Sequence, residues 1–207
     1  HAFYGLRGEP VHDEQGLFVV RSYYNPVQKE VRREYLMPDG RPAVDGRGVA
    51  SIDFLYDERG LLVKTRVYGL GEIPLAADDR NCHGTDTAYD DFGNEVEERC
   101  IGVDGQLTYC ADGYAFWRAL YDADGHEVQR DFFDLNQVPT DSFAGYSAEC
   151  KGYDANGNWI YQAFRDSNGK RCFSKEGYSG MEVECNVFGK VTWCQLVGTN
   201  DCFVSSK

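Results

Sequence analysis

No stretch of this 207-residue sequence approaches the roughly 18 consecutive apolar residues that a membrane-spanning helix requires, so insertion by that route is excluded. Basic residues are outnumbered, 21 against 34 acidic, giving a formal charge of −13 and a pI near 4.7. Such a field repels phosphate backbones and anionic lipid surfaces, which excludes nucleic acid as the expected partner and leaves neutral glycans, cations and basic protein surfaces. Proline is scarce, at 6, so stiff linkers are few. With only four histidines and no C-x-x-C spacing, a zinc site is disfavoured. Gly-x-Ser-x-Gly, His-Glu-x-x-His and phosphate-cradling loops are all absent, and no window carries a helical apolar stripe.

What is present points to β-structure. Aromatic residues make up 14%, with 14 Tyr, 12 Phe and 3 Trp, and Gly numbers 23. Rings suit half-buried strands, and glycines suit tight turns. At 42% hydrophobic residues the chain has enough apolar side chains for a core. The eight cysteines, Cys82, Cys100, Cys110, Cys150, Cys172, Cys185, Cys194 and Cys202, all lie in the later part of the sequence. Their even number predicts disulfides, and disulfides predict an extracellular, cell-surface or periplasmic setting. Starting at His1 without Met or signal peptide, the chain fits a processed or trimmed product.

Self-similarity is the dominant signal. An aromatic-Asp-x-x-Gly motif occurs at Tyr56-Asp57…Gly60, Tyr89-Asp90…Gly93, Tyr121-Asp122…Gly125 and Tyr153-Asp154…Gly157. Degenerate copies stand at Tyr24-Asn25 and Cys185-Asn186…Gly189, and the lead residues are spaced 32, 33, 32, 32 and 32 apart. A second set, Phe3, Tyr35, Tyr68, Cys100, Phe132, Phe164 and Leu196, keeps the same phase. Gly8, Gly40, Gly105 and Gly169 follow it, and then come the pairs Gly16-Leu17, Gly48-Val49, Gly113-Tyr114, Gly145-Tyr146 and Gly177-Tyr178. Asn81-Cys82 fills the third unit's slot, so Cys82, like Cys185, stands where other units place a ring.

In each motif Asp or Asn opens a turn and Gly supplies the positive φ, as in a type I turn closed by a G1 bulge. Alternation in the flanks, as in Val128, Arg130 and Phe132, predicts about three short strands per unit, joined by two tight turns and a looser loop. One such unit cannot bury its apolar face, whereas a stack turns the in-phase aromatics into a ladder. The sequence therefore predicts an all-β, solenoid-like tandem β-hairpin array of six units, near 3–34, 35–67, 68–99, 100–131, 132–163 and 164–195, with a partial unit at 196–207. No composition shift divides the chain, so one elongated domain over 1–207 is expected.

The pattern Tyr-Asp-x-x-Gly-Asn, then Asp-x-x-Gly, then Gly-Tyr-Ala (at Gly113-Tyr114-Ala115) resembles tandem repeats of this period in bacterial secreted and surface proteins. It shares its hairpin with the YD repeats of Rhs-type shells and, more distantly, with glucan- and choline-binding hairpin repeats. The resemblance spans nearly the whole chain and implies architecture rather than a ligand.

Several constellations bear on chemistry. Asp122-Ala123-Asp124-Gly125, Asp154-Ala155-Asn156-Gly157 and Asp166-Ser167-Asn168-Gly169 mimic the opening of a calcium loop, which makes calcium the cofactor to consider. The bidentate carboxylate that such a loop needs further on does not recur in phase, so the turns read first as Asx caps. An N-terminal His1 can offer an amine and an imidazole to copper, with His12, His83 or His126 as the further ligand such a site requires. Cys82-His83 beside Asp86 suggests a thiol and a base, but neighbouring strand residues face opposite sides. Across a turn at Asp104-Gly105, Cys100 and Cys110 lie opposite and predict a bridge, while Cys172 and Cys202 share a phase in consecutive units. Tyr56, Tyr89, Tyr121 and Tyr153 are expected in the core ladder. Trp117, Trp159 and Trp193, with Tyr161, fall out of phase and are the candidates for binding sugars or protein partners.

The resulting expectation is a non-catalytic, secreted or surface structural and interaction repeat protein, self-associating into a filament or binding a protein partner. A carbohydrate-binding module using exposed aromatics is the alternative, and a copper or calcium protein the third.

Overall fold

In the computed structural model the described residues are 19–77 and 81–199, and the structural statements below concern those. They form twelve strands: β1 (Val19–Tyr24), β2 (Glu30–Leu36), β3 (Ser51–Tyr56), β4 (Leu62–Tyr68), β5 (Gly84–Tyr89), β6 (Glu95–Ile101), β7 (Phe116–Tyr121), β8 (Glu127–Phe133), β9 (Ala148–Tyr153), β10 (Trp159–Arg165), β11 (Gly180–Cys185) and β12 (Val191–Val197). One 3-10 turn, Leu70–Glu72, interrupts them, and no helix is long and apolar enough to cross a membrane. Strand order is chain order. The hairpin array expected from the repeat is the fold.

By contacts the chain divides into two compact units. One comprises the described residues up to Ala88 together with Arg99–Ala111, the other Tyr89–Glu98 with the described residues from Asp112 on.

Each hairpin is made by its tip. In the first unit Asp57 Oδ1 accepts the amides of Arg59 at 3.0 Å and Leu61 at 2.8 Å, while the Gly60 amide donates to the Asp57 carbonyl at 3.0 Å. Gly60 has φ +82, and the strand register shifts between Leu55 and Tyr56, as a type I turn with a G1 bulge requires. In the second unit Asp90, Asp122, Asp154 and Asn186 repeat the double acceptance. The degenerate first tip uses Asn25 in the same way and puts Gln28, a non-glycine, at φ +63.

The residue after the tip glycine ties tips together in the second unit. Asn158 Nδ2 donates to Asp154 Oδ2 at 2.9 Å, and a Cβ on Gly189 would lie 2.7 Å from Asn158 Oδ1. His126 does the same for Asp122 and Gly157, leaving 2.9 Å for a Cβ there. A positive φ favours glycine at Gly157 and Gly189, and any side chain there would also have to displace His126 or Asn158.

Two further turns separate successive hairpins. The expected third strand is only an isolated bridge, Leu36↔Pro42, Tyr68↔Pro74, Ile101↔Leu107, Phe133↔Pro139 or Arg165↔Arg171. Proline lacks the amide needed to extend a ladder, which accounts for three of the five.

The core differs between the units. In the first, Tyr35, Val49 and Val67 are buried, with Val20, Ile52, Leu75 and Ala77 against them. The second holds a ring ladder: Tyr114–Phe132 at 4.7 Å between centroids, Phe132–Tyr146 at 6.0 Å, Tyr146–Phe164 at 4.2 Å and Phe164–Tyr178 at 5.6 Å. Such ring pairs add about 0.5–1.5 kcal/mol each beyond their buried area. The tyrosines of the motif are not in it. Tyr56, Tyr89, Tyr121 and Tyr153 are only half-buried beside the tips. The Tyr121 and Tyr153 hydroxyls donate to the Glu95 and Glu127 carbonyls of the preceding hairpin, at 3.0 and 3.1 Å.

The tip carboxylates set an acid limit. Asp57 and Asp122 are held below the ordinary carboxylate range chiefly by the backbone amides of Leu61 and His126, and Asp90 and Asp154 chiefly by the Asn94 and Asn158 side chains. A group depressed in the folded state contributes stability that is complete above its unfolded pKa of about 3.9 and is lost as pH falls through the folded value. Denaturant midpoints are therefore expected to change little from pH 7 to about 5 and to fall progressively below about 4. A midpoint unchanged down to about pH 2 contradicts this.

Candidate functional site

Two surface features of the second unit stand apart from the repeat's own bonding. The first is the row of tips. Phe92 and Phe188 occupy the position just before the left-handed glycine, where Arg59, Asp124 and Asn156 stand in other tips, and are 93% and 90% exposed. Val187 beside Phe188 is 87% exposed. Both rings offer an apolar face to solvent at a position that is polar in those other tips. Sequence reasoning passed over both phenylalanines. Their signal was an apolar residue in a turn slot that is polar in the other units.

Within the same row, Asp122, Asp124 and His126 are the one set of ionisable donors among the described residues whose atoms lie close enough to hold an ion. Asp122 already accepts two amides through Oδ1 and faces His126 Nδ1 at 3.2 Å through Oδ2. His126 also stacks on Tyr153, centroids 4.6 Å apart. These residues are bound into the tip.

The second feature is a cleft of about 290 Å³ at the end of the ladder, lined by Tyr146, Gln162, Phe164, Ser174, Lys175 and Tyr178. Burial pushes the Tyr146 phenol up to about 12 and raises that of Tyr178, so both remain neutral donors. Ser174, 8% exposed, has a buried Oγ with no hydrogen-bond partner. Rings with an unsatisfied hydroxyl suit a ligand that stacks and hydrogen-bonds.

The expected binding aromatics do not assemble. Trp117 is 3% exposed: Arg130 lies over its ring at 3.9 Å, and Nε1 donates to Glu98 at 3.1 Å. It presents no face to a ligand. Trp159 and Tyr161 on β10 are half-buried, and Trp193 on β12 is 42% exposed. Only Trp193 of the three tryptophans is open to solvent.

The thiol–base pairing is not formed. Cys82 is fully buried, His83 Nδ1 lies 2.7 Å from the Val67 carbonyl, and Asp86 pairs with Arg66 and Lys64. Nor is the disulfide framework: no S–S bond joins the seven described cysteines. Cys150 faces Gln129 and Ala163 across the sheet, and Cys194 faces Val183, so neither meets a second sulfur there. The Cys172 thiol, raised to about 11 chiefly by burial, points at the Gly145 carbonyl at 3.7 Å. Cys185 lies beside Val191. Cys100 and Cys110 are brought together, as expected, with Cys82 as a third neighbour. His1, His12 and Cys202, and with them the copper reading and the Cys172–Cys202 staple, lie outside the described residues.

No family model and no curated protein matches the chain. Its fold is similar to that in a crystal structure of TcdB2–TccC3–TEV, with a TM-score of 0.52 and 14% identity over 93% of this chain. A Photorhabdus luminescens Tc holotoxin pore gives 0.45 at 14% identity over 93%, and TcdB2–TccC3 without its hypervariable C-terminal region gives 0.49 at 12% over 83%. The matched part is 8 to 10% of the length of those chains. The likeness is one of fold, consistent with Rhs-type hairpin repeats.

Burial separates the tryptophans energetically. Trp117→Ala should cost about 3–5 kcal/mol in equilibrium denaturation, and Trp193→Ala about 0.5 kcal/mol. Equal losses would place Trp117 outside the core.

Proposed function

We propose that this chain is a non-catalytic structural repeat segment of a secreted or surface assembly, which makes its protein contacts through the tip row. The observation that carries this reading is the exposure of Phe92 and Phe188 at equivalent tip positions, 93% and 90%. The recurring polar groups support a scaffold rather than a reaction centre. Tip carboxylates are engaged by amides, and Glu127 is held ionised, against its burial, by Arg130 at 2.5 Å and Lys151 at 2.9 Å. In the first unit Arg32 is likewise kept charged, against burial, by Glu34, Glu72 and Asp53. Such pairs tie strands together, as a scaffold requires. The fold likeness to a TcdB2–TccC3 chain agrees with a role as part of a larger protein assembly.

The simplest partner is a second copy, meeting tip to tip. A second reading, a glycan seated in the cleft, rests on Ser174 Oγ and the Tyr146 and Tyr178 rings.

Sedimentation velocity over a micromolar concentration series, with negative-stain microscopy, tests the first reading. Self-association is expected in the natural chain and lost in Phe92→Asp/Phe188→Asp. A monomer at every concentration rejects tip-to-tip assembly. A glycan array separates the second reading: binding kept in the double variant but lost in Tyr178→Ala assigns the cleft instead.

A further inference from the structure

The repeat places rings at two facing slots, and in one unit both slots hold cysteine. Aligned by the 32-residue period, Cys82 corresponds to Tyr114 and Tyr146, and Cys100 to Phe132 and Phe164. Those ring pairs sit in contact, Tyr114–Phe132 at 4.7 Å and Tyr146–Phe164 at 4.2 Å. Cys110 in turn corresponds to Asp45, Ser142 and Ser174, which open the turn that follows. The backbone holds these three segments together. The His83 amide donates to the Ile101 carbonyl at 2.8 Å, the Thr108 amide to the Cys100 carbonyl at 2.9 Å, and Ile101 bridges to Leu107. All three sulfurs are inside, their residues 0, 1 and 5% exposed, with Cys100 in hydrogen-bonding contact with both others.

A three-thiol cluster can bind a soft metal or form a disulfide, and its shape decides between them. One ion needs all donors around a common centre. These three do not form such a group, the only one among the described residues being Asp122, Asp124 and His126. The arrangement is a row with Cys100 in the middle, which suits pairwise chemistry.

We propose that Cys100 is the shared sulfur of a single redox staple, joined to Cys110 or, by exchange, to Cys82, and never leaving a bond between the outer two. With glutathione disulfide as oxidant the step balances. The Cys100 and Cys110 thiols lose two protons and two electrons and form one S–S bond. The glutathione disulfide bond breaks, and two molecules of reduced glutathione leave. In the exchange the Cys82 thiolate attacks the Cys100 sulfur, and Cys110 leaves as a thiolate and takes up the proton. The Cys100–Cys110 bond closes a loop over the turn segment that follows β6, whereas Cys82–Cys100 joins the entry of β5 to the end of β6 across one hairpin. The neighbouring Cys110 and Cys82 thiols, with burial, hold Cys100 protonated, so in the folded chain oxidation follows local opening.

The test uses the full chain, incubated with excess glutathione disulfide, acid-quenched, alkylated with a maleimide in denaturant and digested with trypsin. Cys82 falls in the peptide 81–99, and Cys100 with Cys110 in the peptide 100–118. The expected result is loss of two of the three labels, with the 100–118 peptide lighter by two hydrogens or cross-linked to 81–99 through Cys100. Cys100→Ser should lose no label. Cys82→Ser and Cys110→Ser should each still form one bond, and near-natural urea midpoints in the three reduced variants establish that they fold. Three labels retained in the natural chain after oxidation in both buffer and mild urea, or a Cys82–Cys110 bond in Cys100→Ser, overturns the proposal.

Discussion

The structure rests on one carboxylate or amide oxygen that accepts two backbone amides. At each tip this bond, with a left-handed residue three positions on, fixes where one strand ends and the next begins. The bulge that follows sets the register of the hairpin, and a one-residue slip would send every side chain to the opposite face. Because the same turn recurs every 32 or 33 residues, the ring slots of successive hairpins arrive at matching depth. The ladder from Tyr114 to Tyr178 is therefore a consequence of turns placed at the opposite ends of the strands.

Turn chemistry is also why the architecture was legible. Asp-x-x-Gly has a local cause, so it reads directly from the chain, and hairpin number and strand type followed. Two kinds of side chain were misjudged for reasons that turn chemistry does not contain. The tip tyrosines sit across a bulge, between Leu120 and Tyr121 for instance, so alternation counted through the bulge puts them on the wrong face. Trp117 was a binding candidate because it falls out of the repeat's phase, but phase does not report which faces are covered. Phe116 and Trp117 are adjacent in β7, point to opposite faces, and are both buried, the second under Arg130.

The cysteines show the same limit in another form. An even count predicts pairing, but pairing needs facing slots, and those depend on register. Cys150 and Cys194 face Ala163 and Val183. Cys82 and Cys100 fall in slots where other units place contacting rings, and Cys110 joins them as a neighbour of Cys100. The exposed tip rings escaped the sequence reading for a different reason. Phe92 and Phe188 lie in turns, where an apolar side chain has no periodic signature, and only their exposure singles them out.

If the tip turn governs the array, damage to one tip should spread beyond its own loop. Native-state hydrogen exchange of Asp154→Ala measures this directly. The account predicts faster exchange through β9 and β10 and in the next tip, 186–190, whose glycine packs under Asn158, with β7 and β8 little changed. Acceleration confined to 154–158, with β9 and β10 protected as before, would mean that the strands hold their register unaided and would contradict it.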